Sequence, residues 1–292
     1  MKFINLILIF CIINCEKIVA QYDPNFVEVS IEHVGANTIG MMKMSRKEGH
    51  IKVKYFASKD YAGTSVANRY NEWAKSKKIV MYTAGTYMTS CDANNAKPVG
   101  LCIDNGSMVN EKVESDKDAL AIVYATGGIA VSDLKKGDLK ISDQNGASSL
   151  VDIRKPFDKQ KFKTWAETNS ATVFQSHLLC YNNQLKITSG ASPTKAIRRF
   201  LAVCEDNDGV IQHLIVNITG QYSLFEASQK IYNYVLNPNN EIKKIVFMIN
   251  LDTGCQDVFA AFDSKGNPDK RLLFGGTTSI QNSSNLIVYY YE

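Results

Sequence analysis

Between Arg198 and Asp252 the chain has little freedom in what it can form. RRFLAVCE (198–205) and VIQHLIVNI (210–218) are apolar runs separated by Asp206-Asn207-Asp208-Gly209. Four turn-forming residues between two such runs predict a hairpin. SLFEASQKIYNYVL (223–236) then changes period: Ser223 and Glu226 stand at capping-box spacing and Pro238 follows the end, which predicts a helix. KKIVFMINL (243–251) returns as a buried strand and delivers Asp252 at its C-terminal tip.

Other segments repeat this alternation. FVEVSIEHV (26–34), IKVKYFA (51–57) and KIVMYTAG (78–85) read as strands, and ATVFQSHLLCY (171–181) is strand-like. Hairpins are expected around Asp104-Asn105-Gly106 and at Gly127-Gly128, and VFAAFD and LIVYYY close the chain as strands. Helical spacing recurs in TSVANRYNEWAKSK (64–77), with Thr64 or Ser65 as N-cap, and in KQKFKTWAET (159–168). The polar stretch 135–160 reads as short helical or irregular structure. The fold class expected is α+β, a single sheet-dominated domain with about three helices.

Composition narrows the function. With 45% hydrophobic and 21% charged residues the chain has the balance of a globular protein, and a net charge of +4 from dispersed Lys and Arg provides no basic stripe. Nucleic acid is therefore not an expected partner. Lys2 followed by FINLILIFCIINC resembles a signal peptide, with Ala20 before Gln21 as the cleavage point. The run is shorter than the roughly 20 apolar residues of a membrane span. Residues 1–20 are thus read as a signal peptide and 21–292 as the mature domain, secreted or periplasmic and with no transmembrane span. A lipid anchor through Cys15 is the weaker alternative, because Asn14 is an unusual residue before a lipidated cysteine. Export permits disulfides, and Cys91 and Cys102, flanking a loop, are the expected bridge. No cysteine or histidine cluster has zinc spacing.

Asp252-Thr253-Gly254 looks like an aspartic-protease signature, but that chemistry needs two carboxylates sharing a proton. The nearest second motif, Asp104-Asn105-Gly106, lacks the hydroxyl residue and sits in an expected turn. A different resemblance covers about two thirds of the mature chain. FQSHLL, AIRRFLAV, SLFEAS and INLDTG follow one another in the order found in the phosphodiester glycosidase family, the domain type of the lysosomal "uncovering" enzyme. Upstream, YTAGTYM (82–88) and VGLCIDNGSMV (99–109) resemble two further blocks of it. The chain departs from the family where Ala84 replaces Asn, where Thr253 and Gln256 replace Gly and Ser, and where His177 follows Gln-Ser.

The resemblance implies a hydrolase acting on a sugar-1-phosphodiester or related glycan linkage, needing no cofactor, although a divalent metal could serve an acidic site facing phosphate. Glycosidic cleavage requires a carboxylate at the anomeric carbon, and Asp252 is placed for that role. The phosphate requires a cation, and Arg supplies a bidentate fork. Arg198 and Arg199 are adjacent on a strand, so only one points into a pocket. Gln175 and Ser176 are implied as helpers, Tyr87 as a sugar platform, Thr253 and Gly254 as the turn beside Asp252, and His177 as a proton carrier. The departures favour an alternative: a non-catalytic module on the same scaffold that binds a glycan or phospho-sugar.

Overall fold

The computed structural model describes residues 16–17, 23, 25–34, 37–58, 65–90, 97–143, 145–190, 192–254, 257–269 and 277–292. The chain is sheet-dominated, with three α-helices among the described residues, and is α+β as expected. Three antiparallel sheets meet. The large sheet runs in the order Glu16–Lys17, Val27–Val34, Asn37–Ser45, Ile211–Tyr222, Ala196–Asp206, Ile242–Leu251, Leu178–Tyr181, Gln184–Leu185. A five-stranded sheet runs Ser107–Asn110, Cys102–Asp104, Thr172–Ser176, Ala119–Val123, Ile129–Asp133. A four-stranded sheet runs Phe259–Ala261, Lys78–Ala84, Asn285–Tyr291, Ile51–Ala57.

Strand alternation explains why the sheets meet. Successive side chains leave opposite faces, so Leu201 and Val203, Ile51, Val53 and Tyr55, and Ala119 and Ala121 all enter one shared core. The intervening residues face outward, where each sheet receives one helix. Phe200, Ala202 and Cys204 pack on α3 (Leu224–Val235), Phe56 on α1 (Ser65–Ala74), and Leu120 and Ile122 on α2 (Pro156–Thr168). Ile231 of α3 is fully buried, and truncating such a residue to alanine typically costs about 2–5 kcal/mol.

The capping box forms as expected: Glu226 N–H donates to Ser223 Oγ at 3.2 Å and Ser223 N–H to Glu226 Oε2 at 2.9 Å. α2 begins earlier than its apolar spacing suggests, because Pro156 occupies the first turn, where a missing N–H is harmless.

Three expectations are corrected. The polar middle contains a two-stranded hairpin, Lys140–Ser142 with Ser148–Leu150, whose short strands carry too few apolar residues to show a period. The run 171–181 is two strands, not one: Thr172–Ser176 belongs to the five-stranded sheet and Leu178–Tyr181 to the large sheet, with His177 between them. Cys102 is a buried free thiol against Tyr55 Oη at 3.7 Å and is not bridged; Cys91 lies outside the described residues. The N-terminal apolar run also lies outside them, except that Glu16–Lys17 pairs with Ile31 and Ser30. No helix among the described residues is long and apolar enough to cross a membrane.

Candidate functional site

One end of the molecule collects connections from all three sheets. The strand Lys78–Ala84 exits into Gly85-Thr86-Tyr87, and Ile242–Leu251 exits into Asp252. Gly85 is required there, since a Cβ would lie 2.4 Å from Asn285 Oδ1 and 2.9 Å from Tyr55 Cε2. That close approach lets Gly85 C=O accept the Asp252 N–H at 2.8 Å. Asn285 fixes the next residue from both sides, accepting Thr86 N–H at 2.8 Å and donating to Thr86 C=O at 3.0 Å. The loop therefore presents Tyr87 in one place.

Tyr87 is the hub of a polar cluster. Its hydroxyl accepts from Asn250 Nδ2 at 2.7 Å and from Arg198 Nη1 at 3.5 Å, which leaves its own proton to donate. Burial raises the Tyr87 pKa to about 12, with Asp252 reinforcing and Arg198 and Asn250 opposing, so it stays a neutral phenol. The His177 ring stands edge-on at 5.9 Å, and Lys117 Nζ lies 5.9 Å from the Tyr87 ring centre.

The two adjacent arginines part company, as the strand geometry requires. Arg199 enters the shared core and is fully buried. It donates to Asn217 Oδ1 at 2.6 Å and Thr83 Oγ1 at 3.1 Å, and pairs with Asp257 at 2.7 Å. Arg198 leaves by the other face, on the side of Asn250. It donates to Tyr222 C=O at 3.2 Å, to Thr194 C=O and to Tyr87. It is only 5% exposed, yet no carboxylate among the described residues lies within ion-pair distance of it.

Asp252 follows Leu251, which pairs with Arg199, and Thr253 lies against Ile197, so the backbone of Asp252 runs beside that of Arg198, while its carboxyl feels the charges of Asp257 and Arg199. Asp252 is 3% exposed and accepts Gly254 N–H at 2.8 Å. Burial raises its pKa to about 6 and Asp257 adds to this, while the Gly254 N–H and Arg199 pull it down. A carboxyl that titrates near neutrality can hold or release a proton under working conditions.

The remaining expected residues lie at the same end in different circumstances. The Gln175 amide is committed to backbone: its Oε1 accepts Leu101 N–H at 2.8 Å and Glu114 N–H at 3.0 Å, and its Nε2 donates to Lys117 C=O at 2.9 Å. Ser176 Oγ donates to Asn250 C=O at 2.5 Å. His177 Nδ1 lies 3.1 Å from Asp116 C=O, and burial together with Lys117 lowers its pKa below the ordinary value. Thr253 Oγ1 donates to Ile197 C=O at 2.7 Å, and Gly254 is exposed. Ala84 is buried among the residues packed on α1 and Gln256 lies outside the described residues.

Asn250, Asp116 and Lys117 were not anticipated. Asn250 carried a signal, as a polar residue ending an otherwise apolar run; the other two reach the site only through tertiary packing. No cluster of three or more His, Cys, Asp or Glu residues suited to a metal ion occurs among the described residues.

No family model and no curated protein matches this chain. Among solved structures it is similar to a hypothetical protein from Synechocystis (10% identity, TM-score 0.52, covering 92% of this chain and 62% of that one). It is also similar to a Burkholderia pseudomallei protein named as exported (10% identity, TM-score 0.50, covering 91% and 75%). A third similarity is to the catalytic domain of zebrafish N-acetylglucosamine-1-phosphodiester alpha-N-acetylglucosaminidase, auto-inhibited by its pro-peptide (12% identity, TM-score 0.46, covering 91% and 82%). The first two establish a shared fold at a distance too great to carry an activity with it.

Proposed function

We propose that the chain is an exported hydrolase of the phosphodiester glycosidase type, cleaving a sugar-1-phosphodiester. The observation that carries this reading is Arg198: a cation 5% exposed, with no carboxylate partner among the described residues, donating to the Tyr87 hydroxyl, which also feels the charge of Asp252. A buried cation held only by neutral groups is costly until an anion arrives. A phosphodiester brings one negative charge, and the guanidinium takes two of its oxygens.

With phosphate on Arg198 and the Tyr87 hydroxyl, Asp252 in its ionised form stabilises positive charge developing at the anomeric carbon. The phosphate departs with the bonding electrons and is a good leaving group, so no strong acid is required. Water then adds to the sugar, and His177, neutral at pH 7, takes its proton. The N-terminal apolar run supports export of the chain. A binding module is the second reading. It is favoured by the engagement of Gln175 and Ser176 with backbone and by the Asp252 carboxylate accepting the Gly254 N–H.

The test is hydrolysis of a panel of sugar-1-phosphodiesters by the wild type, Asp252→Asn and Arg198→Met, with and without EDTA. Turnover falling about 10³-fold in Asp252→Asn is expected, with KM raised about 10- to 100-fold in Arg198→Met. Activity of the wild type should rise through about pH 6 as Asp252 ionises. Turnover surviving in Asp252→Asn discards the catalytic assignment, and loss on EDTA brings a metal into it. A panel member that raises Tm without being hydrolysed makes the binding module the better account.

A further inference from the structure

Towards the opposite end of the large sheet, that sheet and the five-stranded sheet diverge and leave a cavity of about 580 Å³. Its walls are apolar: Val203, Ile211 and Phe247 on one side, Ile129 and Val131 on the other. Arg46, His213, Tyr181 and Asn182 supply its polar side chains, the Tyr181 hydroxyl donating to Asp138 at 3.2 Å. Arg46 is anchored by its backbone, whose N–H donates to Ile211 C=O at 2.8 Å. Its guanidinium makes no hydrogen bond or ion pair among the described residues, and Nη1 is buried without a partner. His213 is 2% exposed, with Nδ1 3.0 Å from Tyr289 Oη. Burial and the neighbouring Arg46 hold its pKa at about 3, so it is neutral and Arg46 is the only charge lining the space among the described residues.

We propose that this cavity binds a small amphiphilic anion, its apolar body between the two sheets and its carboxylate or phosphate head on Arg46. Three features point to that class. The mostly apolar walls disfavour a strongly hydrated ligand, because few groups on them replace lost water hydrogen bonds. The lone guanidinium calls for one negative charge. The volume falls within the range that holds small organic ligands and far exceeds what one ion needs. The inference does not depend on the reading of Asp252 and Arg198.

The test uses the full-length protein and isothermal titration with dodecanoate, dodecyl phosphate, dodecanol and dodecyltrimethylammonium, all below their aggregation concentrations. Dodecanoate or dodecyl phosphate is expected to bind at one site per chain, at least about tenfold tighter than dodecanol, with the cationic detergent weaker still. Arg46→Gln should reduce the anion's affinity to that of dodecanol, and Val131→Trp, which fills the space, should abolish binding of both. Equal affinity for anion and alcohol overturns the proposal. So does anion binding that survives both Arg46→Gln and Val131→Trp, each checked by circular dichroism for an unchanged fold.

Discussion

The two ends of the large sheet each hold an arginine without a carboxylate partner among the described residues, and their surroundings differ in kind. Arg198 donates to Tyr87 and to the Tyr222 and Thr194 carbonyls, and the Tyr87 hydroxyl also meets Asn250 and feels Asp252, a carboxyl that titrates near pH 6. Arg46 stands beside apolar walls and a histidine that burial keeps uncharged. On the two proposals made above, the same cation would select different partners: a sugar phosphate at one end and an amphiphile at the other. Arg199 shows the third possibility. Its charge is met inside the protein by Asp257, and it serves the fold.

The contrast between paired and unpaired arginines fails if Arg199 proves dispensable. Arg199→Met strands Asp257 and should lower unfolding free energy by about 3–5 kcal/mol in urea denaturation, with Asp257→Leu in the same chain recovering much of it.

The ends should also titrate in opposite directions. Asp252 has a folded pKa raised to about 6, so its favourable contribution is full below the unfolded value and is lost as pH rises through about 6. Asp252→Asn should therefore stabilise the protein at pH 8 by about 3 kcal/mol and change little at pH 4. His213 has a folded pKa lowered to about 3, so its contribution is full above the unfolded value and is lost as pH falls below about 6.5. His213→Gln should consequently be more stable at pH 5, relative to wild type, than at pH 7.5, by about 2 kcal/mol. Melting curves across that range in both variants check the pair, and parallel shifts would remove the distinction.

The smallest expected effect is on Arg198. Because its charge has no internal partner among the described residues, Arg198→Met should change stability by less than about 1 kcal/mol while impairing phosphate recognition. A loss as large as that of Arg199→Met would make Arg198 a structural residue.

Much of the fold was legible because it is local. The turn at Asp206–Gly209, the capping box at Ser223 and the hairpin at Asn105-Gly106 are each set by neighbours in the chain. Alternation also foretold that Arg198 and Arg199 would diverge. Alternation reports faces and not partners, however, so it could not show that the chain changes sheets at His177. For the same reason the backbone contacts that occupy Gln175 come from loops more than 50 residues away in sequence, beyond any local pattern. The cavity beside Arg46 left no trace in the sequence at all, since it arises from the divergence of two sheets.

The polar end is assembled from short connectors that belong to different strands, Gly85–Tyr87, Asp116–Lys117, His177 and Asp252–Gly254, around the strand residue Arg198. Such a construction separates inheritance of the scaffold from inheritance of the chemistry. One connector can drift while the others keep their places. Lineages sharing this body could thus exchange substrates by single-connector changes, and sequence identity would fade long before the architecture did.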